Sequence, residues 1–150
     1  MWKERLEEII EEEELYGEKV NMGAKVEEVN VFCEKVKREL GSDLPIEYVD
    51  ILQIINGLEF NGFILYGIDE YLLSEAPNQH INGLIGYNKV WYENKKQRRY
   101  IFLGESHISW YVYDLISKKY CELDNPSGRE IEIFDSVDSL VDRVLCDALE

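Results

Sequence analysis

Apolar residues recur at intervals of three and four along the first part of the chain, which places them on one face of a helix. In residues 2–15 glutamates fill the other positions, and residues 11–14 are four consecutive glutamates, typical of a solvated face. Residues 25–40 repeat the spacing, and Gly41 follows where glycine commonly ends a helix. The pattern predicts two amphipathic helices with apolar stripes at Trp2, Leu6, Ile9 and Ile10, and at Val26, Val29, Phe32 or Cys33, Val36 and Leu40.

The stretch "LPIEYVDILQIINGLEFNGFILYG", residues 44–67, predicts a helix, a turn and a strand. Pro45 suits the first turn of a helix, where its missing N–H is not needed. Gly57 is placed to cap the helix, and "FILYG" is typical of a buried strand. We expect the helix to bury Tyr48, Ile51, Leu52 and Ile55.

The middle of the chain is less regular. Residues 69–83 contain Pro77 and Gly83 and predict a loop with a short helix. The segment "LIGYNKVWYEN", 84–94, fits a helix or a strand by pattern alone, and we favour a helix. The basic cluster "KKQRR", 95–99, predicts an exposed turn.

From residue 100 the apolar period changes to two, which is typical of strands. Four segments, "YIFLG", "ISWYVYDL", "KYCELD" and "REIEIF", are joined by short connections, so neighbouring strands should be antiparallel. Asp135 or Ser136 then caps a final helix that runs through Ala148. The order predicts an α+β fold with the N-terminal helices and the C-terminal helix on one side of an antiparallel sheet. We expect one domain over 1–150, with an acidic helix and connection in 1–24 and the core in 25–150.

Alternation along these strands separates two faces. One face of such a sheet is usually solvated, so we expect the apolar residues of the opposite face to pack on the helices. They are Ile108, Trp110, Val112, Cys121, Leu123, Ile131 and Ile133. The other face would carry tyrosines among glutamates, which suits either an ordinary half-solvated sheet or a protein interface. The candidate partner-binding residues are Tyr111, Tyr113, Tyr120, Glu122, Glu130 and Glu132; an equally acidic alternative on the first helix is Glu7, Glu8, Glu11 and Glu14.

Charge narrows the class of partner. The 150 residues include 31 acids and 16 bases, a net charge of -15. Nucleic acids and anionic membranes attract cations, so neither is an expected partner, whereas a basic protein is. Three widely spaced cysteines predict three buried thiols in a reducing compartment, and the chain has no apolar segment typical of a signal peptide or a membrane span. We therefore expect a cytoplasmic protein.

Catalytic motifs are incomplete in this sequence. Gly62 and Gly67 have P-loop spacing, but Ile68 and Asp69 stand where lysine and serine or threonine would hold phosphate and magnesium. The segment "GESHI" departs from a nucleophile elbow at Ile108. The sequence predicts no catalytic residue, cofactor or metal.

Several short motifs in order resemble the SUKH superfamily, in its YrhA-type bacterial branch. They are Leu44-Pro45, Tyr48, the apolar helix with Ile51-Leu52, and Asn56-Gly57 before a strand. A later strand-turn-strand with Gly104 and Asp114, together with "LYGID" and "LDNPSG", extends the resemblance over most of 25–148. The resemblance implies an α+β fold without catalytic residues. It also implies that the chain is an immunity protein that neutralises a toxin, often a nuclease. The alternative is that the chain is a regulatory scaffold that binds a normal cellular partner.

Overall fold

Six strands form a single antiparallel sheet in which each strand pairs with the next strand along the chain. The structure is a computed structural model and describes all of residues 1–150. Four of the strands follow residue 100 as predicted, whereas the first strand was not predicted. The strands are β1 (Leu58–Phe60), β2 (Phe63–Leu65), β3 (Tyr100–Glu105), β4 (Ser109–Asp114), β5 (Lys119–Asp124) and β6 (Glu130–Phe134).

Five α-helices pack on this sheet, which confirms the α+β class. The helices predicted at both ends of the chain are present, and the ambiguous segment after residue 84 is helical. The basic cluster forms a 3-10 helix, Lys95–Arg99, and a second 3-10 helix covers Glu70–Leu72. The α-helices are α1 (Trp2–Leu15), α2 (Val26–Leu40), α3 (Ile46–Leu52), α4 (Leu84–Trp91) and α5 (Val137–Leu149).

The corner after α3 differs from the prediction at its end. Pro45 directly precedes the first helical residue, and Leu52 is fully buried, as expected. However, the helix ends at Leu52, so Gly57 is not its cap. Gly57 instead has a φ of 78° in a turn, and a Cβ there would lie 3.2 Å from the backbone nitrogen of Gly67. Glycine is required because this turn needs a left-handed conformation and lies against another backbone.

Asn56 and Tyr48 join this corner to the sheet. The Asn56 side chain accepts a hydrogen bond from the Ile68 N–H at 2.9 Å. The buried Tyr48 hydroxyl donates to the carbonyl oxygens of Tyr66 and Leu103, at 2.5 and 3.2 Å. Buried polar groups need such partners, so the two side chains act in packing the corner.

The helices are divided between the two faces of the sheet. Cross-strand partners share a face, and the face that we call the α5 face carries Tyr111, Tyr113, Tyr120, Glu122, Glu132 and Phe134. Helix α5 lies on it through Arg143, α1 packs against α5, and α3 reaches it where Glu47 accepts a 2.8 Å hydrogen bond from Tyr120. The predicted one-sided arrangement therefore describes α1, α3 and α5.

Helix α4 lies on the opposite face, which we call the α4 face. The Trp91 ring stacks on Phe102 with centroids 4.9 Å apart and contacts Trp110 at 5.1 Å. Helix α2 packs against α4, where Glu39 and Lys89 form an ion pair. The central strands are consequently buried on both faces.

Two expectations about the whole chain can be compared with the structure. None of the helices combines the length and the apolar character needed to span a bilayer. All three cysteines are free thiols, but only Cys121 is buried, whereas Cys33 and Cys146 are partly exposed. The prediction of three buried thiols is therefore wrong for two of them, which lie on the helices α2 and α5 rather than in the sheet.

Candidate functional site

The six candidate partner-binding residues do not form a solvent-facing surface. Tyr111, Tyr120 and Glu122 are buried, with exposed fractions of 0, 2 and 4%. Tyr113 and Glu132 are partly exposed, and only Glu130 is exposed. The predicted orientation is wrong because five of these residues lie on the α5 face, where the helices cover them.

Glu122 shows why alternation was misleading on these strands. Its carboxylate accepts a 2.6 Å hydrogen bond from the Ser109 hydroxyl and a 3.0 Å hydrogen bond from Arg143 of α5. Arg143 also pairs with Glu132. A glutamate that looks solvent-facing in sequence is thus buried with a cation that approaches from another element, as a buried charge requires.

The apolar set that was expected to lie against helices is partly exposed. Ile131 and Ile133 are each 50% exposed and Ile108 is 60% exposed, whereas Trp110 and Val112 are buried beside α4. The alternative acidic surface on α1 is placed as expected, because Glu7, Glu8, Glu11 and Glu14 are all exposed. Glu130 and the α1 glutamates therefore stay available to a partner.

A groove of about 510 Å³ beside α4 combines apolar walls with carboxylates. Its apolar lining residues are Ile81, Tyr87, Val90 and Trp91, and two glycines lie among them. Val90 is 62% exposed and Tyr87 is 36% exposed, although both are large apolar side chains. The complete lining is Asp69, His80, Ile81, Gly83, Gly86, Tyr87, Val90, Trp91 and Glu105.

Asp69 fixes the first turn of α4 and thereby one end of the groove. Its buried carboxylate accepts hydrogen bonds from the N–H groups of Ile85 and Gly86, both at 2.9 Å. These are unpaired donors at a helix N-terminus, where a negative charge is favourable. A Cβ on Gly83 would lie 2.3 Å from the Asp69 carboxylate, so only glycine allows this approach.

Asn88 fixes the other side of α4 against the sheet. Strand β2 ends at Leu65, so the edge of β3 at Phe102 loses its strand partner there. The Asn88 side chain donates to the Phe102 carbonyl at 2.9 Å and accepts from the Phe102 N–H at 2.8 Å. One side-chain amide thus replaces a neighbouring strand and holds α4, with its groove, at the sheet edge.

A series of contacting aromatic side chains connects Tyr87 to Glu105 within the groove. The Tyr87 ring stacks on the buried Tyr66 ring with centroids 4.8 Å apart. The Tyr66 hydroxyl accepts a 3.3 Å hydrogen bond from the Trp91 indole and donates a 3.0 Å hydrogen bond to Glu105. Burial, with the nearby Glu105 carboxylate, raises the pKa of Tyr66. Tyr66 therefore remains a neutral donor that holds the Glu105 carboxylate in place.

The groove favours a ligand that is apolar along its length and cationic at its end. Tyr87 and Val90 offer apolar contact area, and Glu105, partly exposed, forms no ion pair within the chain. No sequence motif pointed to these residues as a binding site. Glu105 lay in the predicted connection after the strand "YIFLG". Tyr87 and Val90 were part of an apolar helix whose outward face carries two large hydrophobic residues, and this was the one signal available.

A second group of polar side chains lies at the end of α5. Ligand atoms of Cys146, Asp147 and Glu150 lie within 4.8 Å of one another. Neighbouring acids at an exposed helix end are common without a metal ion, so this group does not define a metal centre.

Comparison with known proteins identifies no relative: no family model matches the chain, and no curated protein matches it.

Proposed function

We propose that this chain is a non-enzymatic protein-binding module that neutralises a basic toxin domain, as the resemblance to SUKH immunity proteins implies. The observation that carries the proposal is the α4 groove, an exposed apolar and aromatic surface with a carboxylate that no cation of the chain neutralises. Exposed large hydrophobic residues grouped around a groove are typical of protein interaction sites. The groove, rather than the α5 face, is therefore the proposed interface.

The charge of the chain supports a basic partner. A net charge of -15 attracts a cationic protein over a distance and raises its association rate. Nuclease toxins bind nucleic acid through basic grooves, so an acidic protein can cover such a groove. On this proposal, acids such as those of α1 contribute mainly to the rate of encounter, and the groove contributes to the lifetime of the complex.

The first test uses the gene directly upstream of the one that encodes this chain. If its product is toxic, co-expression of this chain should restore growth, and the two proteins should co-purify. Association should slow as salt rises, because the field of exposed charges reaches only about 8 Å at physiological ionic strength. A non-toxic upstream product would contradict the immunity function and favour the regulatory alternative, in which the partner is a normal cellular protein.

The second test places the interface. Val90→Arg puts a bulky cation into the groove, and Val31→Arg makes the same change at the exposed side chain of α2. Both variants change the net charge equally, so bulk electrostatics is matched. We expect Val90→Arg to lose protection and Val31→Arg to retain it. Protection by both variants would place the interface away from α4, and equal loss from both would show that only bulk charge matters.

A further inference from the structure

We infer that the α4 groove is an anchor site for a single guanidinium group, an arginine side chain of the bound partner. This inference rests on the proposed function for the identity of the partner, but its chemistry follows from the groove alone. Three features carry it: a carboxylate without a counterion, an aromatic ring with one covered face, and apolar side chains that line the same groove.

The first feature is that Glu105 forms no ion pair within the chain. Some buried acids of this chain have a cation, as Glu122 has Arg143 and Asp114 has Arg99, whereas the buried Asp69 accepts hydrogen bonds from two backbone N–H groups of α4. Glu105 is partly buried and receives only the Tyr66 hydroxyl, at Oε1. A desolvated carboxylate is stabilised by a cation, so this group favours a positively charged ligand more strongly than a fully hydrated surface glutamate does.

The second feature is the ring of Tyr87. Tyr66 stacks against one of its faces, yet 36% of the residue is exposed and it lines the groove. A cation over the face of an aromatic ring is attracted by the quadrupole of the ring. Val90, at 62% exposure, and Ile81 complete an apolar wall against which the three methylene groups of arginine can pack.

The shape of these groups favours guanidinium over ammonium. Guanidinium is planar, so it stacks on an aromatic ring while its edge donates to a carboxylate. It is also less strongly hydrated than the lysine ammonium group, so entry into an apolar groove removes less solvation. Tyr66 donates to Oε1 of Glu105, and Oε2 has no hydrogen-bond partner within the chain, so it can accept from a guanidinium group.

The test uses small probes and no partner protein. N-acetyl-arginine amide and N-acetyl-lysine amide are titrated as chloride salts and N-acetyl-citrulline amide as the neutral compound, with sodium chloride added to match the ionic strength. Citrulline has nearly the same shape as arginine without its charge. Binding is followed by the fluorescence of Trp91, the tryptophan that lines the groove, and by shifts of the backbone amides of Gly86 and Tyr87 in two-dimensional NMR.

We expect saturable millimolar binding of the arginine probe, at least about fivefold weaker binding of the lysine probe, and no saturation with citrulline. Glu105→Gln keeps the acceptor for Tyr66 but removes the charge, and it should weaken arginine binding about tenfold. Glu93→Gln removes one charge from an exposed residue just beyond α4, outside the groove, and should leave binding unchanged.

Four results would overturn the inference: absence of binding, equal shifts with arginine and citrulline, equal affinity for arginine and lysine, or equal weakening by Glu105→Gln and Glu93→Gln. None of these results depends on a toxin. The arginine site can therefore be refuted while co-expression still protects cells, and co-expression can fail to protect while the arginine probe still binds.

Discussion

Asn88 provides the sharpest test of how α4, and with it the groove, is held on the sheet. Replacement by alanine removes the only side chain that satisfies the N–H and C=O of Phe102 at the edge of β3. Asn88 is fully buried, so water does not readily replace these hydrogen bonds. Each unsatisfied buried group costs about 1–3 kcal/mol, so the loss in the free energy of unfolding is about 2–6 kcal/mol.

Helix propensity acts in the opposite direction and needs a control. Alanine is favoured over asparagine within a helix by about 0.5 kcal/mol. Asn30→Ala makes the same substitution at an exposed position within α2 and reports this gain alone. The difference in the free energy of unfolding between the two variants should be about 2–6 kcal/mol.

The measurement is urea unfolding followed by far-ultraviolet circular dichroism. A two-state fit with unchanged slope gives the difference directly from the midpoints. A difference below about 1 kcal/mol would show that Asn88 does not replace a strand partner in energetic terms. If Asn88→Ala is too unstable to purify, its soluble yield is compared with that of Asn88→Gln, which keeps both functional groups. The prediction then holds only if Asn88→Gln is destabilised less, as judged from a higher soluble yield.

Three further predictions concern the core, the pH dependence and the α5 face. Leu52→Ala, at a fully buried position, should lower the free energy of unfolding by about 2–5 kcal/mol in the same urea assay. Burial raises the pKa of Asp114, but hydrogen bonds from Arg99 and two backbone N–H groups outweigh it and hold this pKa below the ordinary value. The stabilisation by ionised Asp114 is therefore present above the unfolded-state pKa of about 3.9 and is lost as pH falls through the lower folded-state pKa. In acid unfolding, the difference in the free energy of unfolding between the wild type and Asp114→Asn should shrink over this pH range. Glu122→Lys should destabilise by about 3–5 kcal/mol because it places an ammonium group at a buried position beside Arg143, whereas Glu130→Lys should change stability by less than about 0.5 kcal/mol; similar values in thermal unfolding would contradict the assignment of the α5 face.

Local patterns along the chain were sufficient for most of the elements. Apolar spacing of three and four placed α1, α2 and α5, and a spacing of two placed β3 to β6. Short connections made the sheet antiparallel. These properties depend on neighbours within a few residues, which is the range over which backbone preference and amphipathic spacing act. The end of α3 was missed because the Leu52 carbonyl accepts a hydrogen bond from the Ala24 N–H and the Asn56 N–H donates to the Met22 carbonyl, contacts between residues that are distant along the chain.

The orientation of the sheet was decided only by tertiary structure. Alternation separates two faces but does not say which is covered, and here helices cover both, so Tyr111 and Glu122 are as buried as Trp110. Glu122 is stabilised there because Arg143 arrives from α5.

The groove likewise depends on contacts between distant elements. Asn88 and Asp69 position α4, and Tyr66 of one segment orients Glu105 of another. Sequence alone determined that the chain is an acidic α+β protein; the site arises from long-range hydrogen bonds and ring stacking, which local periodicity does not encode.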